Sequence, residues 1–81
     1  MTEVIEQGLT ALIERTLEDI CRAKNRGEDD LYQYTNKYFS AVRIAEDFLS
    51  STALDGYWKT YMGIMNGQIK DPENIVQQIV R

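Results

Sequence analysis

Histidine is missing from this chain altogether, and cysteine, proline and tryptophan occur once each. Without histidine there can be no Ser-His-Asp or Cys-His pair to activate a nucleophile, and the usual zinc spacings are absent. No phosphate-cradling glycine turn and no nucleophile elbow is found either, so a catalytic or cofactor role has no motif behind it. The lone cysteine, Cys21, closes no internal disulfide, and the expected compartment is the reducing cytoplasm. No apolar run approaches the ~20 residues of a membrane-spanning helix, and the opening MTEVIEQGL is acidic where an export signal is basic, so the chain is expected to be soluble and unprocessed. Positive charge is also short: 9 Lys and Arg stand against 13 Asp and Glu, a formal net charge of −4. Binding to a phosphate backbone depends on clustered cations, so direct contact with nucleic acid is disfavoured, while an acidic mimic of nucleic acid stays open.

What is present is helical periodicity. At 81 residues the chain makes one domain, 1–81, whose hydrophobic content of 43% is ordinary for a folded protein. A core of this size supplies only ~3–5 kcal/mol of net stability, which makes a homo-oligomer, most simply a dimer, an expected way to complete it. Projection at about 100° per residue predicts an all-α fold: a small up-down bundle of three long helices plus a short C-terminal helix. The first spans roughly 2–26, with Ile5, Leu9, Leu12, Ile13, Thr16, Leu17, Ile20 and Ala23 on one face and Gly27 closing it. A second starts with Asp29 or Asp30 as cap and runs to about Leu49, its stripe formed by Leu31, Tyr34, Tyr38, Ala41, Val42, Ala45, Phe48 and Leu49. A third, capped by Ser51 or Thr52, spans about 53–66 and ends at Asn66-Gly67. The last begins at Asp71-Pro72, a cap followed by proline at the first helical position.

In the third helix the projection gathers Leu54, Tyr57, Trp58, Tyr61, Ile64 and Met65 as core. Gly56, Thr60 and Gly63 then align opposite the rings. Those small residues either admit another backbone closely or mark a broken helix, since each interior glycine costs ~1 kcal/mol against alanine.

Few residues suggest chemistry. Cys21 lies beside Arg22 and Lys24, which would lower the pKa of an exposed thiol, but a small apolar filler is the expected role. Glu28, Asp29 and Asp30 crowd one loop without the alternating spacing of a calcium site, and read as helix-start charge. Arg15, Arg22, Arg43 and Lys59 have no spacing that selects them as an anion cleft. No catalytic, cofactor or metal residue is therefore assigned.

The remaining feature lies on the second helix. Tyr32 and Phe39 align two turns apart, with Arg43 one turn further and Glu46 beside it. Aromatic residues and arginine are enriched at the energetic centres of interfaces, so Tyr32, Phe39, Arg43 and Glu46 are the candidate partner-binding residues. The alternative is a stripe that is merely wide. The expectation for function is a small acidic, non-enzymatic interaction or regulatory module docking on a larger protein through this ridge or through the edge of the third helix. Two others are weighed beside it: an acidic inhibitor of a nucleic-acid-binding protein, of the kind mobile elements encode, and a helix-turn-helix regulator whose reading helix would be ENIVQQIVR.

Overall fold

The computed structural model describes residues 2–75, excluding the side chains of Thr2 and Asn74. Three helices, α1 (Thr2–Asn25), α2 (Tyr32–Ala45) and α3 (Ser51–Met65), are followed by a short 3-10 turn at Pro72–Asn74. Among the described residues there is no strand, and no helix is long and apolar enough to cross a membrane. The expected last helix has its start here, with Asp71 accepting from the Glu73 amide at 3.0 Å and Pro72 at the first position. Its continuation through residues 76–81 lies outside the described residues, as does most of the reading helix of the helix-turn-helix expectation.

The exits of α1 and α3 are built on glycine. At the end of α1, Gly27 takes φ +77°, its amide donates to the Lys24 carbonyl at 3.0 Å, and Glu28 donates to Ala23 at 3.2 Å. At the end of α3, Gly67 takes φ +85°, and the Gly67 and Gln68 amides reach the Ile64 and Gly63 carbonyls at 3.2 and 2.9 Å. This paired pattern satisfies carbonyls that a helix end otherwise leaves bare, and positive φ suits glycine alone without steric cost.

The entries differ from expectation. Helix α2 begins two residues beyond Asp30, with Leu31 at the cap position making no side-chain cap bond. Asp30 still serves the start, because its carboxylate accepts from the Tyr32 amide at 2.9 Å. The helix stops at Ala45 and the chain tightens through turns in which Phe48 and Leu49 both donate to the Ala45 carbonyl, at 2.9 and 2.8 Å. The cap of α3 is Ser50, one residue earlier than expected: its backbone is extended (φ −70°, ψ 156°) and its hydroxyl accepts from the Ala53 amide at 3.2 Å. An extended Ser50 cannot continue a helix, so α2 has to finish before it.

Helix α1 is the element against which α2, α3 and the 3-10 turn all pack. Its buried face is Ile13, Thr16, Leu17, Ile20, Cys21 and Ala23. Ile5 and Leu12 are exposed instead. At the end of α1, Lys24 donates to the Met65 carbonyl at 3.0 Å and Asn25 to the Lys70 carbonyl at 2.7 Å, tying it to the exit of α3. A cation on the last carbonyls of a helix meets the negative end of its dipole. From α2 come Tyr38, Ala41 and Ala45, and Ile75 closes the core from the 3-10 side.

Helix α3 runs unbroken through Gly56 and Gly63, and it is rotated relative to the expectation. Gly56, Thr60 and Gly63 are buried together with Tyr57, Tyr61 and Ile64, while Trp58 is largely turned out. The small residues belong to the packed face. A Cβ on Gly63 would stand 2.7 Å from Ile69 Cδ1 and 3.1 Å from Cγ1. The chain leaving α3 folds back so that the Ile69 side chain covers the last turn, and only a glycine leaves room for it.

Candidate interaction site

The apolar stripe of α2 places Tyr38 inward, and its neighbour Phe39 therefore falls about 100° round the helix, at the rim between α2 and α3. Four rings meet there. Tyr38 stacks on Tyr61 with centroids 4.9 Å apart and planes 3° from parallel. Phe39 presents its edge to Tyr38 and Tyr61, 5.3 Å from each. Trp58 lies over Tyr61 at 5.3 Å and beside Phe39 at 6.3 Å. Tyr38 and Tyr61 anchor the cluster within the core, whereas Phe39 and Trp58 keep 45% and 44% of their surfaces exposed. Offset and edge-on ring contacts add about 0.5–1.5 kcal/mol each beyond area burial, so the two outer rings are held in place.

Beside the rings runs a groove of about 370 Å³. Its apolar wall is Tyr38, Phe39, Val42, Leu54 and Trp58, and its polar members are Glu46, Ser51 and Asp55. Asp55 pairs with Lys59 at 3.1 Å one turn along α3. On the other flank of Phe39 a second depression, about 330 Å³, is lined by Asn36, Ser40, Arg43 and Ile44. Phe39 thus stands as a ridge between two hollows. Burial, and secondarily the neighbouring Tyr61, pushes the Tyr38 phenol up to about 12, and burial also raises Tyr61. Both hydroxyls stay neutral at physiological pH, which keeps the floor of the cluster uncharged.

No family model, curated protein or solved structure matches this chain.

Of the residues singled out in the sequence, Phe39 and Glu46 line the same groove, and Arg43 lines the hollow on the opposite side of Phe39. Among the described residues neither Arg43 nor Glu46 has an ion-pair partner. Tyr32, 71% exposed at the start of α2, makes no ring contact with the cluster among the described residues. Sequence reasoning missed Trp58, Leu54 and Asp55 as surface partners of Phe39 because it placed the rings of α3 together in the core. The signal that would have found them is the spacing of Gly56, Thr60 and Gly63. Such a row lets a helix sit close to its neighbour, and when that face is turned inward Trp58 is carried toward the rim.

Other concentrations of polar groups are accounted for locally. Glu28 is bound by Arg26 and by the Tyr34 hydroxyl, which donates to it at 3.2 Å. Among the described residues no three His, Cys, Asp or Glu side chains gather as a metal ion would require. Cys21 is 1% exposed, and burial raises its thiol pKa, as does the charge of Asp71, against smaller opposing effects from Arg22 and Lys24. A shallow concavity of about 430 Å³ on the first half of α1 carries Glu3, Glu6 and Glu14 beside Leu49.

Proposed function

We propose that this chain is a non-enzymatic interaction module that docks on a larger protein through the face built by Phe39 and Trp58, flanked by Arg43 and Glu46. The observation that carries the reading is the pair of half-exposed rings at the mouth of an apolar groove, fixed from below by Tyr38 and Tyr61. A lone exposed apolar residue is ordinary, but rings held rigidly beside a concave apolar wall match the centre of an interface, where large side chains lose little entropy on binding. Arg43 and Glu46, which have no ion-pair partner among the described residues, would form the charged rim that sets orientation and partner choice. Work in an aqueous, reducing compartment such as the cytoplasm suits a single buried thiol.

The test is capture of partners from native lysate with the unaltered chain, then comparison with Phe39→Ser and Tyr32→Ser. Binding lost with Phe39→Ser and kept with Tyr32→Ser supports the reading, provided circular dichroism shows both variants folded. Binding that survives Phe39→Ser removes it. Self-association is a second reading, favoured by Ile44, Phe48 and Met62, which add to the exposed apolar surface. Light scattering across a concentration series decides it. The concavity of Glu3, Glu6 and Glu14 supports a third, in which carboxylates occupy a nucleic-acid-binding protein; such a complex should dissolve as salt rises.

A further inference from the structure

The groove beside Phe39 is polarised along its length. Phe39 and Trp58 mark one end, and Glu46 and Ser51 lie toward the connection between α2 and α3. Phe39 to Glu46 on α2, and Trp58 back to Ser51 on α3, each cover about 10 Å of helix rise, the length of two helical turns. The negative charge of the acidic end comes from Glu46. Glu46 has no ion-pair partner among the described residues, and it follows directly on the last turn of α2, where a helix presents the negative end of its dipole. Asp55, one turn from Trp58, adds a carboxylate midway along the groove, where it is paired with Lys59. The N-terminus of α3 presents the positive end of its own dipole beside Ser51, so the two dipoles offset and the Glu46 carboxylate carries the charge.

We propose that this groove receives a basic amphipathic helix of the partner protein. Apolar side chains one turn apart would enter between Phe39, Leu54 and Trp58, and a Lys or Arg about two turns away would reach Glu46. The proposal rests on the docking reading above and adds the charge and polarity of what docks. A second copy of this chain is a poorer occupant on overall charge, because its net charge is −4.

Trp58 is the only tryptophan in the chain, so its emission reports on this groove alone. The probes are two synthetic helical peptides of about 14 residues with identical Leu and Phe anchors, differing only in Lys or Glu at the positions meant to face the acidic end. The Lys peptide should shift Trp58 emission to the blue and bind about tenfold more tightly than the Glu peptide at low salt. Glu46→Gln combined with Asp55→Asn, both at exposed positions, should erase that preference while leaving the fold unchanged by circular dichroism. Phe39→Ala should weaken both peptides. Equal binding of the two peptides, a preference for the Glu peptide, a preference that survives loss of both carboxylates, or no binding of either would overturn the proposal. Equal binding would leave the docking reading standing, since that reading falls only when the captured partner ignores Phe39→Ser. A blue shift produced by raising the protein concentration alone, with a dimer in light scattering, would assign the groove to a second copy and also overturn the proposal.

Discussion

Gly63→Ala probes the close contact between α3 and the chain that folds back over it. In a helix interior alanine is favoured over glycine by ~1 kcal/mol, because glycine loses more backbone freedom on folding. Gly8 shows that gain without complication: a Cβ there meets nothing within 4 Å, so Gly8→Ala should stabilise by roughly 0.5–1 kcal/mol, or several degrees in Tm for a domain of this size. At Gly63 the same gain is opposed by Ile69, whose Cδ1 lies 2.7 Å and Cγ1 3.1 Å from the added atom. Forcing an extra carbon into such a contact costs typically 1–3 kcal/mol, so Gly63→Ala should be destabilising by ~0–2 kcal/mol. Ile69→Val removes Cδ1, the nearer of the two atoms. In that background Gly63→Ala should cost ~1 kcal/mol less than in the parent, a coupling read directly from a double-mutant cycle by urea unfolding. If Gly63→Ala stabilises as much as Gly8→Ala, or the cycle shows no coupling, the fold-back of Ile69 over α3 is wrong.

Three further outcomes follow from the same geometry. Gly27→Ala and Gly67→Ala, each forced into positive φ, should each lose about 1–2 kcal/mol of stability in denaturant melts, and a neutral result would contradict the observed helix ends. Tyr38 holds its proton more tightly folded, at about 12, than unfolded, near 10. Its contribution is therefore fully present below pH 10 and is lost as pH rises from 10 through 12, on the order of 2–3 kcal/mol in all. Phenolate absorbance should show Tyr38 titrating near 12, and a Tyr38→Phe variant should lose this part of the alkaline decline. Cys21 should react with a thiol reagent at mild alkaline pH only at the rate of local or global opening, and at once after unfolding in urea; prompt reaction in the folded state would contradict its burial.

Those parts of the fold written in single residues were legible in the sequence. Gly27 and Gly67 end their helices because positive φ is a property of the residue itself, and Asp71-Pro72 starts its turn for the same kind of local reason. The buried stripe of α1 from Ile13 to Ala23 follows from periodicity alone. The rest depended on competition between neighbours. Ser50, Ser51 and Thr52 can all cap a helix, and which of them does so decides where α2 ends. Likewise the projection of α3 weighs rings by hydrophobicity, whereas the packed helix turns its small residues inward, where Gly63 leaves room for Ile69. That is why Trp58 was expected inside and stands at the rim. Phe39 was legible as an anomaly on α2, but the groove that gives it a use needs Leu54 and Trp58 from α3, and no pattern within α2 contains them. Tyr32 shares a helical line with Phe39 yet stays apart from the ring cluster, since alignment on one helix does not bring a second helix alongside.

The most direct measurement is acrylamide quenching of Trp58 with and without the partner recovered from native lysate. Shielding of Trp58 on binding, reversed when Phe39→Ser abolishes the complex, is the result expected of docking through this groove. A complex that forms while Trp58 stays as accessible as in the free protein would place the contact elsewhere and contradict the account.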